Sequence, residues 1–145
     1  MCFWTMLAPR WERIDDESTS ALANLMELHH WITATKFGDA AADDAWLLAQ
    51  HADRNRPFQR RVLKILADLY PKREVPARHY AYLEDRLSAY ADVVPQRFGT
   101  QGSCIVKNNW QPAPIAVPEK LDERRKAMGL IPFAEQKARL DAICL

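Results

Sequence analysis

Glycine is scarce in this chain, with four among 145 residues against nine prolines. Phosphate-cradling loops and dinucleotide fingerprints need several glycines within a few positions, so supply alone excludes both. ATP and NAD fall down the list, and no cofactor is expected. Cysteine is rarer still. Cys2, Cys104 and Cys144 are odd in number and far apart. Neither a disulfide framework nor a Cys-x-x-Cys zinc site can be built from them, and they read as free thiols in a reducing compartment. Charge of one sign is lacking too. Twenty Lys and Arg against nineteen Asp and Glu leave a net charge of +1, which gives no global field for DNA, RNA or an anionic membrane. No apolar run approaches the roughly 20 residues of a membrane span. The opening run Met1 to Leu7 lacks the basic leader and the length of a secretory signal. These absences predict a cytoplasmic protein with no nucleic-acid and no membrane partner.

What is present is globular. Apolar residues make up 48% and charged residues 27%, a balance that supports one ordinary core at this length. Residues 1–14 read as an N-terminal arm and residues 15–145 as a single domain. Acids and capping residues at Asp15-Asp16-Glu17-Ser18-Thr19 open a first helix over about 17–31, with Leu22, Leu25, Met26, His29 and Ile32 at helical spacing. An alanine-rich run from Ala40 to Asp53 predicts a second helix, burying Leu47 and Leu48. Pro57 starts a third, striped by Phe58, Val62, Ile65, Leu66 and Leu69, and Pro76 a fourth, striped by Tyr80, Leu83 and Leu87. After Pro95 the chain turns irregular, with proline and glycine punctuating residues 95–117 and room for a small hairpin around Ile105-Val106. A fifth helix from Pro118 stops at Gly129, and Pro132 opens a sixth. The fold class is therefore mainly α, with about six helices.

Polar residues interrupt this pattern in three strings. In Trp46-Leu47-Leu48-Ala49-Gln50-His51-Ala52-Asp53, helical spacing puts Trp46, Gln50 and Asp53 on one face and His51 at its edge. An imidazole at a core boundary suits general acid/base work or metal ligation; it equally suits a structural histidine bonded to a carbonyl. In Ala81-Tyr82-Leu83-Glu84-Asp85-Arg86, Asp85 points nearly opposite the Leu83 and Leu87 stripe, while Arg86 flanks it with Tyr82, His79 and Tyr90. Adjacent charges cannot face each other on a helix, so each needs its own partner, and surface salt bridges would account for them as well. Gln96-Arg97-Phe98-Gly99-Thr100-Gln101 places two amides and a hydroxyl around a glycine. Such a string either orients a polar ligand or closes a self-bonded turn. The Gly99-x-x-Gly102 spacing of an RNA-clamping loop lacks the flanking sheet and basic residues. His29 and His30 are adjacent and diverge, so no one helix offers a metal site, although His51, Asp53 and Asp85 could form one across helices. Cys104 has no evident histidine partner and reads as an incidental thiol.

Taken in order, these strings resemble a bacterial family of unknown function, common in actinobacteria. The resemblance is carried by Asp16-Glu17-Ser18-Thr19, Trp31 with Thr33, Phe37-Gly38, Ala45 through Asp53, Pro57-Phe58-Gln59, Ala81-Tyr82-Leu83 with Asp85-Arg86, Gln96 with Gly99-Thr100-Gln101, and Asp122-x-Arg124-Arg125 with Gly129-Leu130. Two departures accompany it. The family's Gly-Trp-Pro-Thr is His30-Trp31-Ile32-Thr33 in this chain, which implies a first helix that runs on, and the aromatic before Gly-Thr-Gln is Phe98 rather than Tyr. The resemblance implies no established activity.

Three functions remain in view. The first is a small enzyme acting on a polar small molecule or modified peptide. In it His51 is general acid or base, Asp53 or Asp85 orients it, and Arg86, Gln50, Gln96, Thr100, Gln101 and Tyr82 hold substrate. The second is a non-catalytic ligand- or protein-binding module whose polar strings form a structural network. There Trp4, Trp11, Trp31 and Trp110 would meet a partner or a second copy as a homodimer. The third is a metal-dependent enzyme.

Overall fold

Prolines set the starts of several helices where the sequence puts them, at Pro57, Pro76 and Pro132. The computed structural model describes the backbone of residues 4–145 and the side chains of residues 10–145. Helices α1 (Trp4–His29), α2 (Ala34–Phe37), α3 (Asp39–His51) and α4 (Arg56–Leu69) are followed by α5 (Ala77–Leu87), α6 (Leu121–Ala127) and α7 (Phe133–Ile143). The only sheet among the described residues is an antiparallel hairpin of β1 (Gly102–Val106) and β2 (Asn109–Pro112). The fold is mainly α. It is built of two compact units, Met1–Val75 and Pro76–Leu145.

In the first unit the expected arm is helical from Trp4 onward, continuous with α1; residues 1–3 lie outside the described ones. Arg54 ties this stretch to the α3–α4 turn through Glu12 and Asp16. α1 does not run on past residue 29. His30 takes the left-handed conformation at φ 65°, which glycine adopts without strain, and the helix ends despite the missing glycine. The expected second helix is α3, a single piece over Asp39–His51; the short α2 before Gly38, whose φ is 85°, is an addition that the sequence pattern does not predict. α3 packs by its alanines, Ala42, Ala45 and Ala49, and leaves Leu47 and Leu48 substantially exposed. Small side chains let the α3 backbone approach α1 closely, and that contact decides which face turns inward. α4 buries Phe58, Val62, Ile65 and Leu66, with the Asn55 side chain accepting from Phe58 N–H at 3.1 Å as its N-cap. Trp31 and Trp110, expected at a partner surface, are core residues at 1% and 5% exposure; Trp11 is exposed.

In the second unit α5 buries His79, Ala81, Leu83, Asp85 and Leu87. A helix with buried side chains this widely spread is covered on more than one face, so Asp85, expected opposite the apolar stripe, is inside. α5 passes into a π turn over Ser88–Asp92 and ends at Val93, in the left-handed region. The free-thiol reading is overturned for two of the three cysteines: Cys104 of β1 and Cys144 after α7 form a disulfide. Spacing gave no hint of it, because residues 40 apart in sequence meet only once the hairpin docks on α7. Asp141 accepts from the Trp110 N–H at 2.7 Å, and the Cys144 carbonyl from the Asn108 N–H at 2.9 Å.

Candidate functional site

Segment 96–101 has almost no regular secondary structure, yet Gln96, Phe98, Thr100 and Gln101 are all buried. A buried irregular strand of backbone must find partners for its N–H and C=O groups among side chains. The polar strings supply them. Asp85 Oδ1 accepts from the N–H groups of Arg97 and Phe98 at 2.8 and 3.0 Å. Its Oδ2 accepts from the Thr100 N–H and hydroxyl, both at 2.9 Å, and from Phe98 N–H at 3.2 Å. Burial pushes the Asp85 carboxyl above the usual carboxylate range, and these hydrogen bonds pull it back down. Gln96 is spent in the same way. Its amide donates to the carbonyls of Gln101 and Ala113 at 2.8 and 2.9 Å and its oxygen accepts from Gln101 N–H at 2.9 Å.

Two arginines take the carbonyl side of the same segment. Arg125, fully buried on α6, donates to Phe98 C=O at 2.6 Å, to Ile131 C=O at 2.8 Å and to Gln136 Oε1 at 2.6 Å. Gln136 passes the contact on to Gly99 C=O at 3.2 Å. Arg124 donates to Arg97 C=O at 2.7 Å. Burial lowers the Arg125 pKa, opposed by nearby Tyr82, Asp122 and Asp85. Gly99 sits at φ 67°, and a Cβ there would lie 3.1 Å from the Phe133 ring. The close approach its missing side chain permits is thus to α7. The outcome is a clamp: a carboxylate on the loop's N–H groups and guanidinium groups on its carbonyls.

Arg86, Thr100 and Gln101 continue outward from Asp85. The Gln101 amide donates to the Thr100 hydroxyl at 3.0 Å and accepts from Arg86 at 3.3 Å, while the Arg86 guanidinium lies 5.8 Å from the Tyr90 ring centre. Tyr82 is half-buried on α5. The structure therefore brings Asp85, Gln96, Thr100, Gln101 and Arg86 together within the second unit.

His51, Asp53 and Gln50 belong to the first unit, where the Gln59 side chain meets part of their string. From the first turn of α4, its amide donates to the last carbonyls of α3, Ala49 and Gln50, both at 3.0 Å, and to Asp53 Oδ1 at 3.3 Å. Arg56 donates to Asp53 at 3.1 Å and to Gln59 Oε1 at 2.8 Å. The Ala49 carbonyl also accepts from the Ala52 N–H at 3.3 Å, and the last carbonyls of a helix run short of intrahelical partners, so Gln59 supplies a donor at this buried end. His51 is exposed on the last turn of α3 and makes no side-chain hydrogen bond among the described residues.

Gln59, Arg125 and Gln136 were not singled out as site residues from sequence. Their signal was a polar residue at an apolar helical position, visible for Gln59 beside Phe58 but lost for Arg125 in the charged string Asp122-Glu123-Arg124-Arg125-Lys126. Among the described residues, no group of three or more His, Cys, Asp or Glu side chains could hold a metal ion, and no helix is long and apolar enough to cross a membrane. A family of unknown function, DUF6624, matches residues 5–144, so the chain belongs to that family. No curated protein and no solved structure matches.

Proposed function

We propose that this member of a family of unknown function is a non-catalytic ligand-binding module whose polar strings are its scaffold. The observation that carries this reading is the saturation of Asp85: both oxygens are filled by four donors of the 97–100 segment. A general acid or base must exchange its proton with a substrate, and a carboxylate wrapped in backbone N–H groups has no open position for one. Asp53 is likewise held by Arg56 and Gln59, and His51 makes no side-chain hydrogen bond to a carboxylate among the described residues. That removes the orienting partner which the acid/base reading requires.

We place the chain in an oxidising environment rather than the cytoplasm, because a bond such as Cys104–Cys144 persists where thiols are not kept reduced.

The test is thermal and chemical unfolding of Asp85→Asn, Arg125→Met and His51→Ala. Asn keeps the shape of Asp85 but turns its amide NH2, itself a donor, toward N–H donors, so a loss of about 3–5 kcal/mol is expected. Arg125→Met should lose a similar amount, and His51→Ala should melt with the parent. Native-like stability in both clamp variants would sink the scaffold reading and return those residues to chemistry.

A further inference from the structure

Two hollows in the first unit adjoin at one side chain, and their chemistries differ. The first, about 300 Å³, is lined by His30, Trp31, Lys36 and Lys72, with Thr33 and Glu74. Its charge is unbalanced. Glu74 accepts from the Thr35 hydroxyl at 3.0 Å, and Thr35 lies 3.1 Å from that of Thr33. Lys36 and Lys72 have no ion-pair partner among the described residues. The Trp31 indole N–H, a donor with no acceptor capacity, is buried without a hydrogen-bond partner. The second hollow, about 450 Å³, runs between α1 and α3 and is walled by Leu22, Leu25, Ile32, Phe37 and Leu48. His29 lines both, its ring set edge-on to Phe37 at 5.1 Å.

We propose that the pair is one binding site for a small amphipathic anion, an acidic head of carboxylate or phosphate on an apolar tail. This rests on the ligand-binding reading above and names its ligand class. The head occupies the lysine-rimmed hollow, where two ammonium groups favour an oxyanion and the unpartnered Trp31 N–H lies in the lining. The tail lies in the α1–α3 groove, whose volume falls within the roughly 300–1,000 Å³ of small-molecule sites. The strained left-handed backbone at His30 sits beside the head, in keeping with strain retained at sites that bind.

Isothermal titration with decanoate, octyl phosphate, acetate and decanol tests the site, at fixed ionic strength and below the amphiphiles' micelle concentrations. Decanoate or octyl phosphate should bind saturably and more tightly than either acetate or decanol; whichever binds identifies the head. Lys36→Gln/Lys72→Gln changes two exposed residues and should weaken the anion about tenfold or more, corresponding to one or more charge-assisted contacts. Leu25→Ser/Leu48→Ser, partly exposed in the groove wall, should weaken both the anion and any residual decanol binding. No saturable binding of either amphiphile, or binding unchanged by the lysine pair, overturns the proposal. The Asp85→Asn melt stands apart from this titration, so failure here and failure of the scaffold reading are distinguishable.

Discussion

Removal of the Cys104–Cys144 bond should cost the protein stability while leaving its native contacts in place. The bond closes a loop of 40 residues in the unfolded chain. Loop-closure entropy for that length is about 13 cal/mol/K, or about 4 kcal/mol at 25 °C. In the folded state the hairpin stays attached to α7 without the sulfurs, through Asp141 to the Trp110 N–H and the Cys144 carbonyl to the Asn108 N–H. The loss therefore arises mainly in the unfolded state. For a chain of this size it corresponds to a fall in Tm of about 8–16 °C. The assay is guanidinium unfolding with and without dithiothreitol, beside a Cys104→Ala/Cys144→Ala control that reductant should not shift. Thiol titration of the unfolded, unreduced protein should find one free thiol, that of Cys2. Three free thiols, or a reductant shift below about 1 kcal/mol, would refute both the bond and the oxidising compartment drawn from it.

Other perturbations read single contacts. Gly102→Ala would put a Cβ 2.2 Å from the Gln111 carbonyl and 2.4 Å from the Trp110 ring, so a loss of about 3 kcal/mol is expected in urea unfolding. Gln59→Leu takes the Gln59 donor from the Gln50 carbonyl and from that of Ala49, which keeps the Ala52 N–H, and should cost about 1–3 kcal/mol by the same measurement, with no effect expected from Gln111→Leu on the exposed side of β2. His30→Gly relieves a left-handed residue and should raise stability by about 0.5–1 kcal/mol after the extra freedom of the unfolded chain is counted; a decrease would mean that the imidazole is held by the fold. The Asp141 carboxyl is held below its usual range first by Lys137 and then by the Trp110 N–H. Its folded pKa lies below the unfolded one, so its contribution is present above about pH 4 and is lost as pH falls through the folded value. Lys137→Met should flatten the acid side of the stability profile.

The helix starts at Pro57 and Pro132 and the stop at Gly129 were legible because proline and glycine act locally. Pro57 with Asn55, Pro132 and Gly129 each do in the structure what their backbone chemistry dictates. The errors came where a distant partner decides. Leu47 and Leu48 carry more apolar surface than the alanines beside them, yet Ala42, Ala45 and Ala49 face inward, because close approach of two helices rewards small side chains over large ones. Helical spacing could not reveal that α5 is covered on more than one face, and so it misplaced Asp85. The disulfide had no local signature at all.

The polar strings were legible as unusual, and their meaning was not. Gln50-His51-Ala52-Asp53, Asp85-Arg86 and Gln96 to Gln101 each look like chemistry, since packing alone gives no reason for them. The missing consideration was backbone supply. A segment too irregular to satisfy itself, with Phe133 packed on Gly99, turns N–H groups to one partner and carbonyls to others; the one demands an anion and the other cations. Asp85 and Arg125 answer those two demands, and Gln59 answers the same demand at the end of α3. A buried charge is thus what a buried loop requires, whereas Lys36 and Lys72, which line one hollow with Trp31, have no such duty: they pair with no carboxylate among the described residues.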